Sequence, residues 1–126
     1  MNQRSERLVD ESRPIFVQIA EQIENDIISG ALAEESQVPS TNEFAAFYRI
    51  NPATAGKGVN LLVEAGVLYK KRGIGMFVTT GAQATLKGQR RETFQAEFVA
   101  PLIEEASKLG ISADDLIALI RKGSNT

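Results

Sequence analysis

The sequence predicts a mainly helical fold that carries one small β-hairpin. Three observations predict it. Apolar residues recur at spacings of three and four in separate stretches, most clearly Phe16, Ile19, Ile23 and Ile27, which is the period of a helix with one buried face. Helix-start signals stand before several stretches: Ser40 with Glu43, Asn51 with Pro52, and Ser112 with Asp115. One segment alone, Val67 to Val78, has two short β-prone runs separated by a glycine-bearing turn.

Taken in order, Pro14 to Ser29 reads as the first helix. Pro14 suits its first turn, and Gly30 suits the position just past its end. Residues 31–39 form a loop in which Gln37-Val38 reads as a short strand. Ser40-Thr41-Asn42-Glu43 is a capping box, where hydroxyl and carboxylate satisfy reciprocal backbone donors. It opens a short second helix that ends near Tyr48-Arg49. Asn51 as cap and Pro52 at the first position restart helical structure almost at once. Val59, Leu62 and Val63 are the apolar stripe of this third helix, and Gly66 is its stop. Gly56 and Gly58 each weaken it by ~1 kcal/mol relative to Ala, so the pair implies a close backbone approach, either to DNA or to another helix. The hairpin follows, and Thr79 to Gly88 reads as a linker. A long helix then runs from about Arg90 to Leu109, with Phe94, Phe98, Leu102, Ala106 and Leu109 on one face and a kink expected at Pro101. Gly110 ends it. Ser112 caps the last helix, whose apolar residues are Leu116, Ile117, Leu119 and Ile120.

Composition narrows the function classes. The chain has 126 residues, 43% hydrophobic and 24% charged, which is globular rather than disordered. It contains no Cys and no His. Disulfides, thiolate nucleophiles, the usual structural zinc sites and Ser-His-Asp chemistry are therefore excluded. No catalytic residue, metal site or cofactor is expected. No apolar run approaches the ~18 residues of a membrane span, and the polar N-terminus, MNQRSERLVDESR, lacks the apolar region of a secretory signal. The expected location is cytoplasmic, with no membrane partner. Net charge is −2, but it is unevenly spread. Residues 1–39 carry net −5, residues 40–80 net +3 and residues 81–126 net zero. Three of the five cations in the positive segment are consecutive: Lys70, Lys71 and Arg72.

Three helices, a tight turn between the second and third, then a hairpin, is the order of a winged helix-turn-helix domain. It is assigned to residues 1–80, and residues 81–126 to a linker and a two-helix dimerisation region. The third helix presents Asn51, Ala53, Thr54 and Lys57 at its N-terminal end, where orphan N–H groups and the positive dipole end favour phosphate. Short polar side chains there reach base edges in a major groove. The hairpin tip sets its cations beside a glycine turn able to approach a phosphate backbone or enter a minor groove. Ser40, Thr41, Lys71, Arg72 and Gly73 complete the candidate DNA contacts. Phe94, Phe98, Leu102 and Leu109 form the candidate dimer interface, because a lone two-helix tail cannot cover its own apolar face.

These residues also resemble a known family. Val38-Pro39-Ser40-Thr41-Asn42-Glu43-Phe44-Ala45 resembles the LPSxRxLA box of GntR-type bacterial transcription regulators. Ile50-Asn51-Pro52-Ala53-Thr54 resembles their VNPxTV segment, Leu62 to Leu68 their LxxxGLL segment, and Lys71 to Val78 their RRGxGTFV wing. The Asn-Pro-x-Thr form and the short tail are similar to the YtrA-like branch. The resemblance implies a sequence-specific DNA-binding regulator, a repressor, acting as a homodimer on an inverted-repeat operator in double-stranded DNA. It also implies a small-molecule effector or second signal that alters the dimer geometry. Some positions depart from the pattern. Asn42 stands where the family usually has a DNA-contacting Arg, Met76 replaces the wing Thr, and Glu35 stands where a turn Gly is common. Two other classes compete. A winged helix can serve as a protein-docking module without DNA, which the acidic N-terminal segment favours. A small enzyme using Lys and carboxylates lacks any phosphate loop or paired-carboxylate context.

Overall fold

A computed structural model describes residues 12–124. The polar N-terminal stretch read above for a secretory signal lies, through residue 11, outside the described residues. The chain divides into two compact units, Met1–Lys87 and Gly88–Thr126. This division falls seven residues beyond the end assigned from sequence.

The first unit is built on three helices and a hairpin. Helix α1 spans Ile15–Ser29, α2 Thr41–Tyr48 and α3 Pro52–Glu64. Strands β1, Leu68–Lys71, and β2, Gly75–Val78, pair antiparallel with Leu68 opposite Val78 and Lys71 opposite Gly75. The periodic residues of α1 point where the pattern requires: Ile19, Ile23 and Ile27 are fully buried. They meet Phe44 and Ala45 from α2, Ala55, Val59 and Leu62 from α3, and Val67, Leu68 and Val78 from the hairpin. Gln18 is the buried polar residue among the described ones, and its side-chain amide is satisfied by the Arg13 carbonyl at 3.0 Å. The two helix starts form as their local chemistry dictates. Ser40 and Glu43 complete a reciprocal capping box, and the Asn51 side chain accepts from the Ala53 N–H at 2.8 Å with Pro52 behind it.

Gly58 resolves the alternative left open by the two glycines of α3. A Cβ there would lie 2.7 Å from the Phe16 carbonyl oxygen and 3.1 Å from the Ile19 side chain. The close approach is therefore to helix α1. Gly56 has no such neighbour, since a Cβ would make only an ordinary 3.5 Å contact with the Thr41 methyl.

The stretch read as a linker differs from expectation. Helix α4 spans Ala82–Phe94, and Ala82 and Leu86 are buried in the core of the first unit. Gln83 fastens the start of α4, donating its side-chain amide to the Ile28 carbonyl at 3.0 Å. Only Thr79 to Gly81 connect β2 to this helix.

In the second unit the long helix is not continuous α-helix. Gln95–Val99 form a π-helical turn between α4 and α5, Ala100–Lys108, and the Ala100 N–H donates to the Gln95 carbonyl five residues back. Pro101 follows immediately. Proline lacks the N–H for an α-helical bond and its ring crowds the carbonyl four residues earlier, and a widened turn is one way a helix absorbs that disturbance. The expected kink thus takes the form of a local expansion just before the proline. Gly110 ends α5, the Ile111 N–H donating to the Ala106 carbonyl at 2.9 Å. Helix α6 spans Ala113–Ser124, with Ser112 accepting from the Asp115 N–H at 3.1 Å.

Candidate nucleic-acid interface

The expected contact residues fall on three features of the first unit: the start of α2, the N-terminal part of α3 and the hairpin tip. Ser40 and Thr41 start α2. The Ser40 hydroxyl accepts from the Glu43 N–H at 3.1 Å, which leaves its own proton free to donate. Thr41 turns its methyl toward Gly56 in α3, so the first turn of α2 and the early part of α3 lie side by side. Asn51 and Ala53 are exposed at the N-terminus of α3, and Thr54 is half-buried. The Asn51 carbonyl oxygen is committed to the cap, while its amide donors remain. Ala53 offers only a methyl, suited to apolar contact with a base.

The cations divide by their surroundings. Lys57 is exposed, and its ammonium sits over the Phe16 ring at 4.7 Å from the centroid. Lys71 lies over Phe77 at 4.2 Å and reaches toward Tyr69 at 5.9 Å. These cation–π contacts hold long side chains close to the surface at modest energy. Lys70 and Arg72 are exposed beside Gly73. The ion pairs among the described residues, Arg13–Glu21 and Lys108–Glu104, lie elsewhere. Lys70, Lys71 and Arg72 thus concentrate positive charge at the hairpin tip without forming an ion pair among the described residues, although the Glu35 carboxylate lies close enough to feel the charge of Lys71.

The segment before α2 anchors the hairpin, and sequence reasoning missed most of this. Glu35 N–H donates to the Val78 carbonyl at 2.8 Å, Val78 N–H to Ser36 at 3.0 Å, and Val38 N–H to Met76 at 2.9 Å. Gln37 bridges Phe77 in antiparallel register as an isolated bridge, so the short strand expected over Gln37-Val38 is reduced to a single paired residue. The Gln37 side chain donates to the Ile74 carbonyl at 3.0 Å. Glu35 adopts a left-handed backbone, φ 66°, which explains why a glycine suits that place. Its carboxylate accepts hydrogen bonds from the hydroxyls of Thr80 and Tyr69. Those two bonds, Thr80 first, then the charge of Lys71, hold its carboxyl below the usual carboxylate range, and the same bond pushes the Tyr69 phenol up. Glutamate thus trades backbone ease for a tie joining the loop, the hairpin base and the start of α4. Its misfit with the turn pattern was the one visible signal.

The candidate dimer residues occupy the second unit. Phe94, Phe98, Leu102 and Leu109 are 54%, 62%, 43% and 65% exposed, so the single chain leaves the stripe uncovered. Ile103, Ile117, Leu119 and Ile120 are exposed as well. Phe94 and Phe98 contact each other with centroids 5.6 Å apart.

Known proteins share this arrangement. Residues 16–78 match the family model described as bacterial regulatory proteins, gntR family. The chain is 28% identical over 111 residues to the HTH-type transcriptional repressor YtrA of Bacillus subtilis, covering 88% of this chain and 85% of YtrA. It superposes on a GntR family transcriptional regulator from Listeria monocytogenes with a TM-score of 0.73 at 28% identity, covering 90% of this chain and 98% of that one. The AraR DBD in complex with operator ORX1 matches with a TM-score of 0.52 at 29% identity, over 56% of this chain and 87% of that one.

Proposed function

Since the chain belongs to the gntR family of bacterial regulatory proteins and is a DNA-binding transcription regulator, we propose that it acts as a cytoplasmic homodimeric repressor on an inverted-repeat operator. The observation that carries this reading is the pairing, within one folded unit, of an exposed α3 N-terminus with a hairpin tip bearing Lys70, Lys71 and Arg72. The likeness to AraR bound to its operator supports it. In this reading α3 lies in the major groove with Asn51, Ala53, Thr54 and Lys57 toward bases, and Ser40 and Thr41 toward the flanking backbone. Lys71, Arg72 and Gly73 meet phosphate or the minor-groove edge. Lys57 and Lys71 exchange their aromatic rings for DNA, whereas Arg72 already projects from the surface. Asn42, exposed in the first turn of α2, is a shorter and uncharged substitute for the family's usual Arg, which weakens or redirects recognition there. No helix among the described residues is long and apolar enough to cross a membrane. The uncovered stripe of Phe94, Phe98, Leu102 and Leu109 supplies the dimer contact, and an effector or second signal acts through that dimer. Against the protein-docking role, which the acidic N-terminal segment favours, stand the family membership and the likeness to an operator-bound domain.

The test begins with selection of a bound duplex from a random library, followed by titrations with that duplex and a scrambled one at two salt concentrations. Arg72→Ala should weaken binding to both duplexes and lower the salt slope by about one unit for each phosphate it leaves unneutralised. Lys57→Ala should instead erode discrimination between the two, by ~1–3 kcal/mol for a good base contact. An Arg72→Ala protein with unchanged affinity and salt slope rules out a wing contact.

A further inference from the structure

We propose that Gln37 is a positioning residue for DNA binding: through its side-chain amide it holds the hairpin tip in the conformation that presents Lys71, Arg72 and Gly73. The inference rests on the wing contact of the preceding reading and adds a residue outside the family-like motifs. Gln37 is exposed and lies three residues before the cap of α2. Its amide nevertheless crosses to the far end of the hairpin turn and donates to the Ile74 carbonyl at 3.0 Å. The Ile74 N–H donates to the Lys71 carbonyl at 3.0 Å. Both backbone groups of Ile74 are thereby engaged, one within the turn and one to the loop before α2. Gly75 makes room for this. Its φ is +146°, and a Cβ there would fall 2.5 Å from the Gln37 amide nitrogen.

The residue type fits the task. Glutamine supplies a neutral donor, so it adds no repulsion to a tip that already holds three cations. The backbone of the same loop segment is laddered to β2 on both sides of Gln37, so the anchor is firm. One exposed hydrogen bond adds little to the stability of a folded unit. It matters more for a turn flanked by glycines, which otherwise samples many conformations. Ordering such a turn before the encounter removes a cost that binding must then bear. The same segment leads into Ser40 and Thr41, so one short stretch sets both the tip and the first turn of α2.

The experiment uses the full chain and Gln37→Met, which keeps length and contact with Gly75 but removes the donor. Three readings are taken: thermal unfolding, trypsin cleavage after Lys71 and Arg72 in the free protein, and affinity for the selected duplex alone and combined with Arg72→Ala. The expected result is a near-unchanged midpoint, cleavage faster by about fivefold or more because the tip opens more often, and a loss of affinity of about tenfold. That affinity loss should shrink in the Arg72→Ala background, because both changes act through the tip. Gln37→Glu should also speed cleavage, since a carboxylate cannot donate to the carbonyl, and its added negative charge should lower affinity further. Unchanged cleavage overturns the proposal. So does an affinity loss that persists in full without Arg72, which makes Gln37 a direct DNA contact. If Arg72→Ala weakens binding and Gln37→Met does not, this inference fails alone. If Arg72→Ala has no effect, the wing reading fails and the positioning role falls with it.

Discussion

The two glycines of α3 should respond to alanine with opposite signs. On helix propensity alone, either Gly→Ala change stabilises an interior helical position by ~1 kcal/mol. At Gly56 nothing opposes that gain, because the new methyl meets the Thr41 methyl at 3.5 Å. At Gly58 the new carbon would sit 2.7 Å from the Phe16 carbonyl oxygen, about 0.7 Å inside an ordinary 3.4 Å contact, and 3.1 Å from two carbons of Ile19. Neither neighbour yields easily: one is helix backbone, and Ile19 is fully buried. Helix α1 must shift, and overpacking of this kind costs ~1–3 kcal/mol. Taking the upper part of that range and subtracting the propensity gain leaves Gly58→Ala less stable by ~1–2 kcal/mol, against a gain of ~1 kcal/mol for Gly56→Ala. The corresponding fall in midpoint for Gly58→Ala is roughly 4–16 °C for a unit of this size. Thermal and urea unfolding of both variants check it. A Gly58→Ala protein as stable as the parent would refute the reasoning, because it would mean that α1 and α3 are not in the close contact described.

Leu86→Ala should cost ~2–5 kcal/mol by urea unfolding, since Leu86 is a core residue of the first unit; a surface linker would register almost nothing. Phe98→Asp should leave the far-ultraviolet spectrum intact while halving the sedimenting mass, and an unchanged mass would remove the tail from the dimer contact. Acid should loosen the hairpin base. The Glu35 carboxyl is held below its ordinary 4.5, so its contribution is complete above that value and is lost as pH falls through the lower folded value. Tyr69 is raised above its ordinary 10.0, so its share is present below 10.0 and is lost as pH rises through the higher folded value. Stability curves of the parent and Glu35→Gln should therefore converge below pH 4.5; parallel curves would show that the carboxylate is not the linked group.

What was legible in the sequence was local or periodic. Ser40 and Glu43 are three residues apart, and Asn51, Pro52 and Ala53 adjoin, so their capping depends on nothing distant. The isoleucines of α1 announce one buried face because a helix repeats at a fixed period. Contacts between remote segments were not legible. Glu35 looked like a misfit because its partners, Tyr69 and Thr80, lie 34 and 45 residues away. Gln37 was read only as part of a short strand, and its side-chain role carried no signal, since that bond goes to a backbone carbonyl that every residue has. The beginning of α4 was misread because Thr79 to Gly81 and Lys87-Gly88 are polar or glycine-bearing. Ala82 and Leu86, four apart, were the overlooked helical signal. The candidate contacts were accessible to reasoning because charge and glycine cluster in sequence at the hairpin tip.

The π-helical turn before Pro101 alters the angular bookkeeping of the tail. On an unbroken helix, at ~100° per residue, Leu102, Ala106 and Leu109 would stand ~80°, ~120° and ~60° around the axis from Phe94. A single widened turn takes up one residue without advancing the rotation. The offsets then become ~20°, ~20° and ~40°, and the apolar stripe continues in phase across the interruption. Turn and proline together behave as a silent one-residue insertion. A relative with one residue fewer here and no proline would carry the same stripe on a regular helix. Aligning two such tails without a gap between Phe94 and Pro101 would set the two apolar stripes about 100° out of phase.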